Sequence, residues 1–234
     1  MDNQQYDDII VRLSCDFDSE VTESHLIRWI VDIYLYDEEF EVSNPGVPGR
    51  HIGKGSLTYY DAIRYSSFDL RMIAQVHGAN SGEFQVLNSV RIFSDEQELI
   101  QFIRGDKSVI NDIDEGVLDP TDFTPDELEA IKNWERYDEE CTANVFGRLV
   151  SLEDLEISPN YQNFSRNIVQ KISEFFEKIG IDFILVMPVP FHSNPLDEVS
   201  YKRQTKDVIN IYESLDFELT KGKLYDYCMV KKLS

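Results

Sequence analysis

The sequence has no run of about 18 apolar residues, so it contains no candidate for a membrane-spanning helix. Its N-terminus, residues 1–5, lacks both the basic and the apolar segment of a signal peptide. Cysteine is scarce, and the three cysteines (Cys15, Cys141 and Cys228) lie far apart, which argues against a disulfide framework and favours a reducing compartment. We therefore expect a soluble, cytoplasmic protein.

The sequence also lacks the spacings of the common metal and nucleotide motifs. Its four histidines are scattered, and none lies at a metal-ligand spacing from a cysteine or another histidine, so no metal site is predicted. The run from Gly49 to Ser56 contains three glycines and a lysine. However, three residues instead of four separate its first two glycines, and a glycine follows the lysine, so it departs from a phosphate-binding loop. A flexible turn that enters a strand is the better interpretation.

Positive charge is in short supply. The chain has 22 Lys and Arg residues against 44 Asp and Glu residues, which gives a formal net charge of −22. The acidic excess is densest between Asp95 and Glu140. A field of this sign repels nucleic acid and attracts cationic partners, so neither a nucleic acid nor a membrane is expected to bind directly. Three interpretations stay open: solubility alone, a basic substrate, and mimicry of a polyanion.

What the sequence does contain is enough apolar residues, 42% of the chain, to form a sizeable core. Residues Ile9–Leu13 predict an early strand. Apolar residues from Leu26 to Tyr34 recur at helical spacing and predict a helix, with Thr22 or Ser24 as its N-cap.

Turn chemistry organises the next part of the chain. Residues 44–49 predict a loop, because they contain two prolines and two glycines. Two β-rich stretches, 70–77 and 84–93, are separated by turn residues at 78–82 and predict a hairpin. The acidic, turn-rich stretch at about 106–122 predicts a linker or an insertion.

Two capping boxes predict the starts of two helices. Ser94-Asp95-Glu96-Gln97 precedes one apolar helical face, and Gly105 ends that helix. Thr124-Pro125-Asp126-Glu127 carries proline at the first helical position and begins a helix that we expect to run to about Tyr137.

From Asn144 onward the pattern is that of an α/β unit. A strand at 145–152 is followed by an amphipathic helix that ends at Gly180, and then by an apolar strand at 181–189. Strand, helix and strand in so few residues predict a βαβ unit with parallel strands. A second helix around 208–215 and a last strand at 225–230 complete the unit.

Three segments of this half resemble the GNAT family of N-acetyltransferases. Leu152–Tyr161 is similar to the family's fourth strand and the run that leads into its acyl-CoA loop, and Ile211–Phe217 is similar to its Tyr-x-x-x-Gly-Phe segment. Tyr227–Leu233 resembles the family's last strand. The resemblance covers residues 144–233. It implies an α/β (α+β) fold with a GNAT-like mixed central sheet flanked by helices.

The resemblance also divides the chain. Residues 144–234 would form the cofactor half, and residues 1–143 would form an elaborated acidic N-terminal half with the insertion at about 106–122. The two halves form either separate units or one domain of residues 1–234.

The implied cofactor is acetyl-CoA, held by its pyrophosphate on backbone N–H groups at the start of a helix. The family's loop carries Gln or Arg, two variable positions, Gly, one variable position, and Gly or Ala. Here Ser165 and Asn167 stand at the small positions, and a second register that uses Asn167 and Val169 contains no glycine either. Ser165 can cap the helix and Arg166 can contact phosphate. The cofactor-binding residues that the resemblance implies are Ile157, Gln162, Asn163, Ser165, Arg166 and Asn167.

The family's chemistry is attack of an amine on the thioester, which requires a base and an acid. The resemblance implies Tyr212 as the acid, with a plain helix-face aromatic as the alternative interpretation. Glu156, Asp154 and Glu153 are candidates for the base. Period-two alternation places Leu152, Asp154 and Glu156 on one face of the strand, where repulsion between the two carboxylates would raise one pKa. The alternative is that these are solvated strand carboxylates. Asp216, where the family has glycine, tolerates a positive φ better than most residues.

Two hypotheses for function follow. The first is an acyl-CoA-dependent N-acetyltransferase that acts on an amine of a basic acceptor, either a small molecule or a protein. The second is a catalytically inactive, acidic interaction or inhibitor protein that mimics a polyanion such as DNA and binds a cationic partner, for example a nucleic-acid-binding protein.

Overall fold

A computed structural model of the protein describes about two thirds of the chain. The described residues are 8–15, 26–36, 40, 44, 46–65, 70, 86–87, 89–103, 113, 116–129, 132, 143–191, 197–220 and 228–233.

The described strands form two sheets. They are β1 (Ile9–Cys15), β2 (Leu26–Leu35), β3 (Arg50–Asp61), β4 (Val90–Phe93), β5 (Ala143–Phe146), β6 (Arg148–Ile157), β7 (Phe183–Val186), β8 (Glu218–Leu219) and β9 (Met229–Lys232). Seven of them make one sheet in the order β1-β2-β3-β6-β7-β9-β8. Neighbours in this sheet are antiparallel except for β6 and β7, which are parallel. The other two, β4 and β5, pair in parallel as a small second sheet.

The α-helices whose bounds lie within the described residues are α1 (Glu96–Ile103), α2 (Ser165–Lys178) and α3 (Glu198–Glu213). Short 3-10 helices occupy Pro120–Asp122 and Pro159–Phe164. Helix α2 connects β6 to β7, and α3 connects β7 to β8. None of the helices among the described residues is both long and apolar enough to cross a membrane.

The main sheet is buried on both faces near its centre, where β7 has four buried residues in succession. One core lies between the sheet and α2 and α3, and it contains Ile172, Phe176 and Tyr212 together with β6 residues. A second core includes Leu149 and Leu185 on the other face and continues into the small sheet. These observations confirm a mixed α+β architecture with a large, mostly antiparallel sheet.

Several predicted elements are confirmed. The strand predicted at Ile9–Leu13 is β1, and the predicted strand, helix and parallel strand correspond to β6, α2 and β7. The box at Thr124 is reciprocal: the Thr124 backbone N–H donates to Glu127 Oε2 at 2.7 Å, and the Glu127 N–H donates to Thr124 Oγ1 at 3.3 Å. The predicted box at Ser94–Gln97 is shifted by one residue. Asp95 caps the helix by accepting from the Glu98 N–H at 2.8 Å, and the Glu98 side chain accepts from the Ser94 N–H at 2.6 Å.

The helix predicted from Leu26 to Tyr34 is wrong, because this segment is strand β2. Val31 and Ile33 are fully buried while Ile30 is 42% exposed, so the true period is two. The helical spacing arose because apolar residues occur on both faces of this strand. Thr22 and Ser24, the predicted caps, lie outside the described residues.

The hairpin predicted at 70–93 is also wrong in the part of it that lies within the described residues. Residues 70, 86 and 87 are helical, and only Val90–Phe93 of the second stretch is a strand. That strand pairs in parallel with β5, which lies about 50 residues further along the chain. The predicted turn at 78–82 lies outside the described residues, as does most of the predicted insertion at 106–122.

Three predicted boundaries change. The strand predicted at 145–152 is divided between β5 and β6 by Gly147, which has a φ of 78°. The strand predicted at 181–189 is confined to β7. The last strand begins at Met229 in the described residues, since 221–227 lie outside them.

The glycines of the run at 49–56 serve sheet packing. Gly53 and Gly55 lie within β3, and an added Cβ on Gly53 would lie 2.6 Å from the Glu156 carbonyl oxygen. A Cβ on Gly55 would collide with the Asp154 carbonyl oxygen. The two glycines therefore allow β6 to approach β3 closely.

Candidate functional site

The candidate site lies where the two parallel strands separate. Strands β6 and β7 pair from Leu149 opposite Phe183 to Leu152 opposite Val186, and β6 then continues to Ile157 without β7 beside it. We call this gap the β6–β7 cleft. Ligands of α/β sheets commonly bind at the carboxyl ends of parallel strands, beside the start of the following helix.

A bulge in β6 controls which side chains face the solvent. Ser56 pairs with Asp154 and Leu57 pairs with Leu152, so Glu153 is an extra residue in β6. The bulge resets the alternation, and Leu152 and Leu155 therefore lie in the same core. The predicted placement of Leu152 on the face of Asp154 and Glu156 is wrong for this reason.

Glu153 is the most shielded of the three candidate bases. Its side chain is 10% exposed, and Arg28 Nη2 lies 3.6 Å from its Oε2. The hydroxyl of the buried Thr58 donates a short hydrogen bond to its Oε1. Two donors on neighbouring strands thus fix the orientation of this carboxylate.

Asp154 and Glu156 lie on the same face of the sheet as Glu153 but are more exposed to solvent, and they contact residues of β3. Asp154 is exposed and accepts from Ser56 Oγ at 3.4 Å. Glu156 Oε2 lies 3.4 Å from Lys54 Nζ, and Lys54 is itself opposite Asp32 in the register. The Lys54 ammonium thus offsets the repulsion that we expected between the two carboxylates.

Tyr212, the predicted acid, is buried at the end of α3. It is 1% exposed, and its ring makes edge contacts with Phe191 at 6.0 Å and Phe217 at 5.0 Å between centroids. Burial raises the pKa of this phenol far above its ordinary value of 10.0. A phenol in this environment stays protonated at neutral pH, and its raised pKa makes it a weaker acid than a solvated tyrosine.

The segment after β7 returns to close the cleft. The backbone N–H of Ile157 donates to the carbonyl oxygen of Phe191 at 2.8 Å. Both residues are buried, at 1% and 6% exposure. The Ile157 amide, one of the predicted cofactor-binding groups, is therefore already engaged.

The start of α2 differs from the expected loop. The 3-10 helix runs directly into α2, and the N-cap residue Phe164 makes no side-chain cap. The hydroxyl of Ser165 donates to the Gln162 carbonyl oxygen at 2.6 Å, so the prediction that Ser165 caps the helix is wrong. Phe164 packs beside Tyr161, with ring centroids 6.4 Å apart.

The remaining predicted cofactor residues lie at the surface or near it. Gln162, Asn163 and Arg166 are exposed, and Asn167 is half-buried. Arg166 links α2 to the end of α3: its Nε donates to Ser214 Oγ at 3.2 Å and its Nη2 donates to the Ser214 carbonyl oxygen at 3.4 Å. The fold thus brings the start of α2 close to the end of α3, two residues from Tyr212.

A groove with a volume of about 230 Å³ runs beside Arg166, between α2 and the turn after α3. Asp216 in this turn has a φ of 64°, as its position in place of glycine suggested. The lining residues are Arg166, Gln170, Ser173, Glu174, Glu177, Ser214, Leu215, Asp216 and Lys231.

Sequence reasoning missed Arg28, Thr58 and Phe191. The first two reach Glu153 only because of the pairing of β2, β3 and β6 and the bulge, which no local pattern reveals. Phe191 had a signal, since the prolines at 188 and 190 end the strand before it.

Comparison of the chain with protein-family models, with curated proteins and with solved structures finds no match. The case for a function therefore depends on the geometry of the β6–β7 cleft and on the residues around it.

Proposed function

We propose that the chain is a GNAT-like protein that binds acyl-CoA at the β6–β7 cleft and transfers the acyl group to an amine. The observation that carries this proposal is the single parallel pair within an otherwise antiparallel sheet, with α2 between its strands. The cleft opens at the end of β6, beside the start of α2 and the end of α3. The same segments of the sequence carry the family resemblance.

The anion-binding part of the site fits a pyrophosphate. Arg166 is exposed at the first turn of α2, where the helix dipole favours negative charge. Its guanidinium presents donors in a planar fork suited to phosphate oxygens. Gln162, Asn163 and Asn167 are the neighbouring polar residues, and the hydrogen bonds of Arg166 to Ser214 would give way to the phosphate.

Acyl-CoA, when bound, supplies an activated acyl carbonyl, and the chain supplies the proton transfers. A carboxylate of β6 would take the proton that the acceptor amine loses as its nitrogen bonds to the acyl carbon, and Tyr212 would donate a proton to the sulfur as the thioester C–S bond breaks. Among the carboxylates we favour Glu153, because Thr58 and Arg28 hold it in a fixed orientation. Asp154 and Glu156 face the solvent, where they would attract a basic acceptor.

A calorimetric titration with acetyl-CoA tests the binding step. We expect saturable binding that Arg166→Ala weakens about tenfold, since the variant removes a charged phosphate contact. Arg203→Ala is the matched control, because Arg203 is an exposed arginine on α3 away from the cleft. Absence of saturable binding at millimolar acetyl-CoA would end the enzyme hypothesis.

A second candidate function is the acidic interaction protein. Residues 116–129 contain five acidic residues and neither lysine nor arginine, and all five are exposed. Hydrogen bonds from Thr121 lower the pKa of the Asp119 carboxyl, and hydrogen bonds from Thr124 lower the pKa of the Glu127 carboxyl. Both side chains therefore stay ionised at neutral pH and present negative charge to a cationic partner.

A further inference from the structure

We propose that the segment Met187–Phe191 is a stopper that closes the β6–β7 cleft and must withdraw before an acyl chain enters. The inference deepens the proposed function and rests on it. It starts from a conflict in the site, because the Ile157 amide and Tyr212 are both covered by Phe191.

The first support is the position of the Phe191 carbonyl oxygen beside the end of β6. Beyond Leu152, β6 no longer pairs with β7, and none of the strands among the described residues lies beside the end of β6 on that side. The Phe191 carbonyl oxygen accepts from the Ile157 N–H at 2.8 Å and takes the position that a strand would hold. An extended ligand chain that paired with the end of β6 would have to replace this carbonyl.

The second support is the ring of Phe191. It lies in the core at 6% exposure, against Tyr212, which is 1% exposed. The phenol that we assign to protonating the leaving thiolate is therefore sealed from any ligand while Phe191 stays in place. Transfer chemistry at Tyr212 and the closed position of Phe191 exclude each other.

The third support is that few backbone hydrogen bonds hold the segment in place. Pro188 and Pro190 have no backbone N–H and do not extend β7. Among the described residues, the segment's backbone makes the bond to Ile157 and one local bond, from the Val189 N–H to the Met187 carbonyl oxygen at 2.9 Å. Val189 is 37% exposed. Pro188, Pro190 and the Phe191 ring are buried, and the bond to Ile157 is the segment's one backbone hydrogen bond to β6 among the described residues.

If most molecules are closed, only the open fraction can bind the ligand. The apparent affinity is then the intrinsic affinity of the open state multiplied by that fraction. Truncating the ring should raise that fraction. We expect Phe191→Ala to bind acetyl-CoA about tenfold more tightly than the wild type. Val189→Ala is the control, because it shortens an exposed side chain of the same segment and should leave the affinity unchanged.

Amide hydrogen exchange and tyrosine nitration, each followed by mass spectrometry, show whether the stopper is open or closed in the absence of ligand. We expect faster exchange around Ile157 and new modification of Tyr212 in Phe191→Ala. Phe191→Leu, with an intermediate effect, serves if the alanine variant does not fold.

The outcomes separate the stopper from the proposed function. If the variant exposes Ile157 and Tyr212 yet neither protein binds acetyl-CoA, the stopper stands and the acyl-CoA function fails. If wild type and Phe191→Ala bind acetyl-CoA equally, with Ile157 still protected in the complex, the stopper is wrong and the function stands. Unchanged exchange and nitration in both variants would also overturn the stopper.

Discussion

The extra residue in β6 has chemical consequences at the scale of single side chains. Because Glu153 stands at the bulge, it lies beside Thr58 and within reach of Arg28, while the next carboxylate along the strand faces solvent. Three neighbouring acidic residues thus acquire three different environments. Bulges are frequent beside active sites because they redirect a side chain in this way.

Glu153 is expected to be the base of the proposed reaction. Glu153→Gln keeps the shape and the hydrogen bond from Thr58 but cannot accept a proton, so we expect kcat to fall about 100-fold or more. The assay is release of free thiol from acetyl-CoA with a polyamine or a lysine-rich peptide as acceptor. Asp32→Asn on the same sheet is the control and should keep wild-type kcat. Equal activity of Glu153→Gln and wild type would remove Glu153 from the mechanism.

Tyr212 should make the unfolding free energy of the protein depend on pH in the alkaline range. Burial raises its pKa in the folded state, so the stability it contributes is complete below the unfolded value of about 10 and is lost as the pH rises above it. We expect the unfolding free energy of the wild type to fall more steeply above pH 10 than that of Tyr212→Phe. Urea denaturation at several pH values measures both slopes. Parallel slopes would mean that Tyr212 is solvated in the folded protein.

At the scale of secondary-structure elements, Gly147 joins the two sheets. Its N–H donates to the Phe93 carbonyl oxygen at 3.3 Å, and its own carbonyl accepts from the Ala62 N–H at 2.9 Å. Its φ of 78° allows β5 to turn into β6. An added Cβ would collide with the Asp182 carboxylate, which accepts from the Arg148 N–H at 2.7 Å.

Gly147→Ala should therefore destabilise the protein by more than about 1 kcal/mol, because strain at positive φ and the collision with Asp182 act together. Gly116→Ala is the matched control: Gly116 has a φ of 74°, and none of the described residues has an atom within 4 Å of an added Cβ. Urea denaturation measures the unfolding free energy of both variants, and the difference between their losses gives the cost of the collision with Asp182. If the two variants lose the same stability, the contact with Asp182 has no cost.

The elements that sequence patterns predicted are those with a single dominant period. Helix α2 has its apolar residues on one face, and β1 is short and β-branched, so both were predicted. Strand β2 was misread because Ile30 and Tyr34 add apolar residues to its outer face. The pairing of β4 with β5 joins residues about 50 positions apart, and no local pattern specifies such a contact.

In the candidate site, too, some residues were predicted from local sequence patterns and others depend on tertiary pairing. Tyr212 and Arg166 were singled out from the sequence, and the fold brings the ends of α2 and α3 together through Ser214. The register shift at Glu153 depends on the pairing of β3 with β6, which no local pattern reveals. The prolines at 188 and 190 mark the end of β7, but the contact of Phe191 with Ile157 depends on tertiary structure. The function implied by the resemblance stays a prediction.

At the scale of the whole molecule, the net charge of −22 is the dominant feature. Such a field raises the rate of encounter with a basic acceptor or a cationic protein, and salt screens it over a Debye length of about 8 Å at physiological ionic strength.

The interaction hypothesis predicts a steep salt response. Binding to a cationic partner protein should weaken at least about tenfold between 50 and 500 mM salt, as estimated for contacts between several charges. A pull-down with a highly basic nucleic-acid-binding protein at both salt concentrations measures this. Retention that does not change with salt would contradict an interaction carried by the acidic surface.

Amide hydrogen exchange with saturating acetyl-CoA most directly tests whether the β6–β7 cleft binds acyl-CoA. We expect slower exchange in peptides that cover residues 162–170 and 211–217, together with faster exchange in the stopper at 187–191. Unchanged exchange in all three segments, or protection confined to other parts of the chain, would contradict binding at this cleft.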